Sequence, residues 1–155
     1  MTEAARKVLK DCRDATGDLV DGIQGGEWRR RWILAVVLLR AVGHVLAKVD
    51  GARSDEYKNE IKSWWTALKE GKPNPDIFWE FIEEERNTIL KEYSTKAGQG
   101  VKIYLGNQSS TTYHYTINSG PFKGQDQRCV LDKAISWWES ELDRIDQKVQ
   151  SMNKK

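Results

Sequence analysis

The chain is poor in the residues that usually announce chemistry. Cys12 and Cys129 are the only cysteines among 155 residues. Two thiols cannot build a disulfide framework or a four-cysteine zinc site, and both are expected inside helices as small buried apolar residues. His44 and His114 are the only histidines, which makes a histidine-based metal site improbable. No glycine-rich loop lies between a strand and a helix, and no serine is flanked by glycines in a nucleophile elbow. Common nucleotide-dependent oxidoreductases and serine hydrolases are thereby excluded, and no cofactor is expected. Excess charge is missing as well. A formal net charge of +2 gives no global pull toward nucleic acid or an anionic membrane, so such binding would need a local patch. Met1 to Lys10 is charged and lacks the apolar core of a signal peptide, while the longest apolar run, Trp32 to Leu39, ends at Arg40 and is short for a bilayer. The expectation is a cytoplasmic chain with no membrane partner. The sequon at Asn107 carries no weight without secretion.

What is present is the balance of a globular protein: 39% hydrophobic and 31% charged residues, in a length suited to one domain, 1–155, with its own core. Val8, Cys12, Ala15, Leu19 and Ile23 recur at helical spacing, with Gly25-Gly26 as the expected stop. A second helix is expected from Glu27 to about Val49, apolar on all sides at its centre and so placed centrally. Ser54 can cap a third, with Tyr57, Ile61, Trp64, Trp65 and Leu68 inward. After the break at 71–75, Pro75 and Asp76 suit the start of a fourth, whose apolar stripe is Phe78, Phe81, Ile82, Ile89 and Tyr93. The segments 101–105 and 111–117 alternate and are rich in β-branched and aromatic residues, predicting a β-hairpin over about 101–117. A hairpin alone is marginal in water, so one face should pack on the helices or on a second subunit. Leu131, Ile135, Trp138, Leu142, Ile145, Val149 and Met152 then make one seam. The predicted architecture is mainly α: an up-and-down bundle of about five helices with an inserted hairpin.

Four side chains on the fourth helix could bind phosphate. Arg86 lies at the edge of the apolar stripe, and Asn87 and Lys91 lean together one turn apart, with Tyr93 beyond. A guanidinium grips phosphate by a bidentate fork and an amine acts as a point charge. The pattern of Arg86-Asn87, three residues, a basic residue, one residue and Tyr93 resembles the motif of the HEPN superfamily, helical bundles that include metal-independent endoribonucleases of toxin–antitoxin, CRISPR and phage-defence systems. Lys91 stands where that family has histidine. The resemblance implies that Arg86 holds the scissile phosphate, that Asn87 and Tyr93 support the site, and that a homodimer brings two copies of the helix together. Because lysine normally stays protonated, Lys91 is expected to stabilise charge. On the residues alone, the same stretch also reads as a solvated helix face laced with ion pairs.

Arg40 and His44 share a face of the second helix, and a buried charge there needs a partner. The acidic run Glu83-Glu84-Glu85 is the natural supplier, so Arg40, His44 and Glu84 form a candidate polar cluster, either a structural network or a cleft shared with Arg86. Arg29-Arg30-Arg31 crowds the positive end of a helix and calls for neutralisation by Asp18, Asp21 and Glu27 or for an external anion. Of the adjacent indoles, Trp65 and Trp137 can point sideways. With Tyr113 and Tyr115 of the hairpin they are candidate interface residues. The expectation is therefore a HEPN-like protein that binds or cleaves RNA. Its rivals are a non-catalytic module gripping a partner protein through Trp and Tyr, and a small-ligand sensor built around Arg40, His44 and Arg86.

Overall fold

The computed structural model describes residues 1–23, 25–104, 106 and 111–154. Its elements are α1 (Glu3–Gly17), α2 (Gly25–Lys48), a 3₁₀ turn (Asp50–Ala52), α3 (Asp55–Glu70), a π-helical segment (Ile77–Glu83) running into α4 (Glu84–Glu92), strands β1 (Val101–Tyr104) and β2 (Thr111–His114), and α5 (Gln127–Met152). It is a helical bundle with a two-stranded antiparallel hairpin before the last helix, the architecture expected from the sequence. Leu105 and the turn residues 107–110, the sequon included, lie outside the described residues.

The apolar side of α2, with Trp32, Ala35, Val36, Leu39, Val42 and Leu46 buried, is the spine of the core. Against it pack α1 through Leu9 and Cys12, the π segment through Phe78, Phe81 and Ile82, and the α5 seam of Leu131, Ile135, Trp138, Leu142, Ile145 and Val149. Gly43 permits the close approach of α2 to α5: a Cβ there would lie 3.0 Å from Trp138 Cη2. Burial pushes the Cys12 thiol up to about 12, so this cysteine is inert packing, whereas Cys129 is exposed and not the core residue expected. Met152 at the end of the seam is also exposed.

Several boundaries differ from the expected ones for visible reasons. Helix α1 stops at Gly17, not at Gly25-Gly26, and Gly25 instead opens α2. Leu19 continues the apolar rhythm and is buried, but it packs from irregular chain. Helix α2 is not encased: Ile33, Val37 and Leu38 are half-buried and Leu34 is 50% exposed. By length and composition alone Gly25–Ala52 would suffice to cross a membrane, a criterion that the core helix of a bundle also meets. The fourth helical segment is π-helical over its first seven residues. Tyr93 closes α4 in the left-handed conformation, φ 51°, and is exposed, so it is not part of the apolar stripe.

Caps come from distant parts of the chain as well as local ones. Ser54 caps α3 as expected, accepting from Tyr57 N–H. The N-terminus of α1 is capped by Asp50, whose carboxylate accepts from Ala4 N–H at 3.1 Å and Ala5 N–H at 2.8 Å. That arrangement satisfies orphan donors which Thr2 leaves open.

In the hairpin, Val101 pairs with His114 and Tyr104 with Thr111. All four residues of β1 are exposed, so the expected packing of one face is carried by Tyr113 of β2, which packs against the core, and by the base of the hairpin. There Tyr115 is fully buried. It stacks on Trp28 with centroids 3.6 Å apart and donates through its hydroxyl to Ile23 C=O. Gln127 ties the same base: its amide donates to Gly98 and Thr116 carbonyls and accepts from Trp28 Nε1. Tyr115 is therefore a core residue and not an interface candidate. Gly100 is pressed against it, since a Cβ would lie 2.3 Å from Tyr115 Cε1. Gly100→Ala is expected to displace the ring from Trp28 at a cost of about 2 kcal/mol, the scale of overpacking. Thermal unfolding of that variant, with near-ultraviolet circular dichroism reporting on the Trp28 environment, measures both effects.

Candidate functional site

The π-helical turn decides which glutamate meets α2. Each π turn uses one more residue than an α turn, so it rotates the side chains beyond it relative to an α-helical count. Glu83, and not the expected Glu84, pairs with Arg40, through Arg40 Nε. Glu84 points the other way, to Lys96 Nζ at 3.0 Å. Glu85 turns into the core and is fully buried.

Arg40 is 8% exposed, so the pairing satisfies a charge that is nearly withdrawn from water. Its guanidinium also lies over the rings of Trp65 and Phe78, at 5.6 and 5.8 Å. The second oxygen of Glu83 accepts from Asn87 Nδ2 at 3.3 Å, and Asn87 Oδ1 accepts from Arg86 Nη1 at 2.8 Å. A continuous chain of hydrogen bonds thus runs Arg40–Glu83–Asn87–Arg86. Asn87 uses both ends of its amide, which orients the neighbouring guanidinium. Arg86 is half-buried, and no carboxylate among the described residues lies within ion-pair distance of it.

His44 sits one turn from Arg40 and is exposed. Partial desolvation of its ring first, then the positive charges of Arg40 and Arg86, hold its imidazole below the ordinary 6.5, with Glu83 opposing and Lys48 adding slightly. It is therefore neutral at neutral pH and able to accept a proton. The structure brings Arg40, His44, Glu83, Arg86 and Asn87 together across α2 and the π/α4 segment. The polar cluster expected around Arg40 forms with Glu83 in place of Glu84, but Arg86 does not line the cleft that Arg40 and His44 share.

The other expected members lie elsewhere. Lys91 is exposed and lines a groove of about 530 Å³ with Asn87. That groove contains Glu80, Glu83, Glu84 and Glu92 against Lys72 and Lys91, and Arg86 is not part of it. Tyr93 turns toward Arg29, which lies 5.8 Å over its ring. Within the arginine run, Arg31 pairs with Glu27 at 2.7 Å and donates to the Asp18 carbonyl, while Asp21 is taken by Arg128. Arg29 and Arg30 have no carboxylate partner among the described residues.

Trp65 and Trp137 are half-buried in an aromatic cluster: Trp65 meets Phe78 edge-on at 5.7 Å and Trp137 meets Phe78 at 5.2 Å. Each still exposes part of its ring. Tyr113 is half-buried beside Tyr115. The described residues hold no cluster of three or more His, Cys, Asp or Glu side chains placed to bind a metal.

No family model, curated protein or solved structure matches the chain.

Proposed function

We propose that the chain is a HEPN-like protein that binds RNA and supports metal-independent ribonuclease chemistry, of the type found in bacterial defence or toxin–antitoxin systems. The observation that carries the reading is an Arg86 guanidinium without a carboxylate partner among the described residues, oriented by Asn87 at one end of a hydrogen-bonded chain whose other end, Arg40, lies one helical turn from the exposed His44. A fixed guanidinium suits a phosphodiester, and a neutral imidazole supplies what Lys91 does not. In this reading Arg86 forks the scissile phosphate and His44 takes the proton from the ribose 2′-hydroxyl. The 2′-oxygen bonds to phosphorus, the bond to the 5′-oxygen breaks, and the leaving oxygen is protonated by solvent or by the imidazolium. The products are a 2′,3′-cyclic phosphate and a free 5′-hydroxyl. Lys91, in its mostly acidic groove, would contribute only long-range charge.

The homodimer belongs to the same proposal. Leu90, 58% exposed, lies one turn beyond Arg86, and the flank of α2 around Leu34 is open too. Two exposed apolar side chains, one of them next to Arg86 on the same helix face, suit a second copy.

The test is labelled single-stranded RNA incubated with EDTA. Wild type is expected to cleave it, and Arg86→Ala to lose about a hundredfold in rate. His44→Ala should lose at least as much, the scale of general-base catalysis. The rate should rise with pH on an acidic limb whose midpoint lies below 6.5, because the unprotonated imidazole is the active form. Lys91→Ala should remain within a few-fold of wild type. RNA binding without cleavage would reduce the reading to RNA capture, and neither binding nor cleavage would sink it.

A second reading, a non-catalytic module that grips a partner protein, is favoured by one observation. Strand β1 has Val101, Ile103 and Tyr104 exposed, and the two-stranded sheet offers open edges for strand addition.

A further inference from the structure

Helices α2 and α3 enclose a cleft of about 400 Å³ that is lined by Arg40 but not by Glu83. Its walls are apolar and aromatic, dominated by Ile61, Trp64 and Trp65, and its rim carries His44, Lys58 and Lys62. Arg40 lies at its base. No lining residue is acidic. Lys58 and Lys62 are one turn apart on α3 and exposed, and neither has a carboxylate within ion-pair distance among the described residues. Arg86 and Asn87 do not line this cleft, so it is separate from the phosphate-facing part of the cluster.

We propose that this cleft binds an aromatic carboxylate: a flat apolar body lying against Trp65 and Ile61, with its anionic end held at the rim by Lys58, Lys62 and the His44 ring. The volume falls in the range of small-molecule sites, which are mostly apolar with a few placed polar groups. Charge complementarity selects an anion, because the rim is basic and bears no acid to neutralise it. The same lining selects against a nucleotide. The polar edge of a base needs several acceptors as well as donors, and the side chains of this cleft offer cations, indoles and aliphatic surface, with the His44 ring at the rim as the one acceptor and no carboxylate or amide. An aromatic acid leaves no such edge unpaired.

This chemistry has two sources, a free aromatic acid or the carboxyl terminus of a peptide ending in an aromatic residue. The inference does not rest on the RNA reading, and RNA cleavage and ligand binding fail independently.

Binding is read by tryptophan fluorescence and calorimetry on the full chain. The probes are 2-naphthoate, its neutral counterpart 2-naphthamide, N-acetyl-glycyl-tryptophan as the free acid and as the terminal amide, and UMP. The expected result is saturable one-to-one binding of naphthoate, with the amide weaker by about tenfold, equivalent to about 1.4 kcal/mol. The double variant K58A/K62A alters exposed side chains only. It should fold as wild type and bind naphthoate about tenfold more weakly while leaving the amide unchanged. Ala47→Phe, on the exposed edge of the cleft, should block both probes. Tighter binding of the peptide acid than of naphthoate assigns the ligand to a chain terminus; the reverse order assigns it to a free acid. Equal affinity for acid and amide, no effect of K58A/K62A, no saturable binding, or displacement of naphthoate by UMP each overturns the proposal.

Discussion

Glu85→Ala is expected to lower stability by roughly 3–5 kcal/mol, enough to move the thermal midpoint of a chain this size by about 10 °C. Glu85 is fully buried, and its carboxyl group serves three donor groups from two parts of the chain, α2 and the segment after α4. Trp32 Nε1 donates to Oε1 at 3.1 Å, Lys96 N–H reaches both oxygens at 3.0 and 3.2 Å, and the Thr95 hydroxyl donates to Oε1. Truncation strands the indole and the Lys96 amide without acceptors, in addition to opening a cavity beside Trp32. Glu85→Gln keeps one acceptor oxygen and should lose distinctly less. Urea unfolding followed by circular dichroism measures both; near-equal losses would mean that volume, and not hydrogen bonding, dominates at this position.

Asp146→Ala is the second large effect, again about 3–5 kcal/mol, because it removes the shared partner of several buried or half-buried donors. The Asp146 carboxylate, 8% exposed, accepts from Thr2 N–H at 2.9 Å, Thr2 Oγ1 at 3.0 Å, Tyr57 hydroxyl at 3.0 Å and Arg6 Nη2 at 2.9 Å. Burial by itself would raise its pKa, but hydrogen bonds from Arg6, Thr2 and Tyr57, helped by the Met1 ammonium, bring it below the ordinary 3.8. The folded value is thus lower than the unfolded one. Its contribution is complete above the unfolded pKa and disappears as pH falls through the folded one. Wild type should lose stability across that acid window, and Asp146→Ala should show a flatter profile there. Parallel profiles in urea titrations at successive acid pH values would remove Asp146 from the acid-sensitive set. The reciprocal effect appears on Tyr57, whose hydroxyl is pushed up to about 12 by burial and then by its bond to Asp146.

Both residues show where sequence reasoning reaches its limit. Asp146 falls one position after Ile145 of the α5 seam, and its role depends on α1 and α3 meeting α5, which no local pattern records. Glu85 belongs to a run of three glutamates that reads as a solvated face. Burial of the third and pairing of the first with Arg40 result from the π-helical turn preceding them. An α-helical count across residues 77–83 assigns the wrong glutamate to Arg40 and carries the apolar stripe on to Tyr93. The candidate site was half legible for the same reason. Arg86 and Asn87 are adjacent in sequence, and Arg40 and His44 share a helical face, so each pair could be singled out. That Arg40 reaches Glu83, and through it Asn87 and Arg86, while Lys91 faces an acidic groove, depends on how α2 and α4 cross.

Periodicity and capping determined the elements by themselves. The apolar spacing of α2, the Ser54 cap and inward face of α3, the long seam of α5 and the alternating strands are local properties of side-chain shape and hydrogen-bonding capacity. A chain with these residues has to form helices and one hairpin to bury its Trp, Leu and Ile side chains. The tertiary structure alone decided how several groups are placed inside. Leu19 packs from irregular chain beyond the end of α1, Tyr115 leaves the hairpin to stack on Trp28, and Asp50 caps a helix some 45 residues away. The physical reason for the two polar groups is the same. Desolvation and hydrogen-bond satisfaction are set by what surrounds an atom in space, and that is known only once the helices have packed.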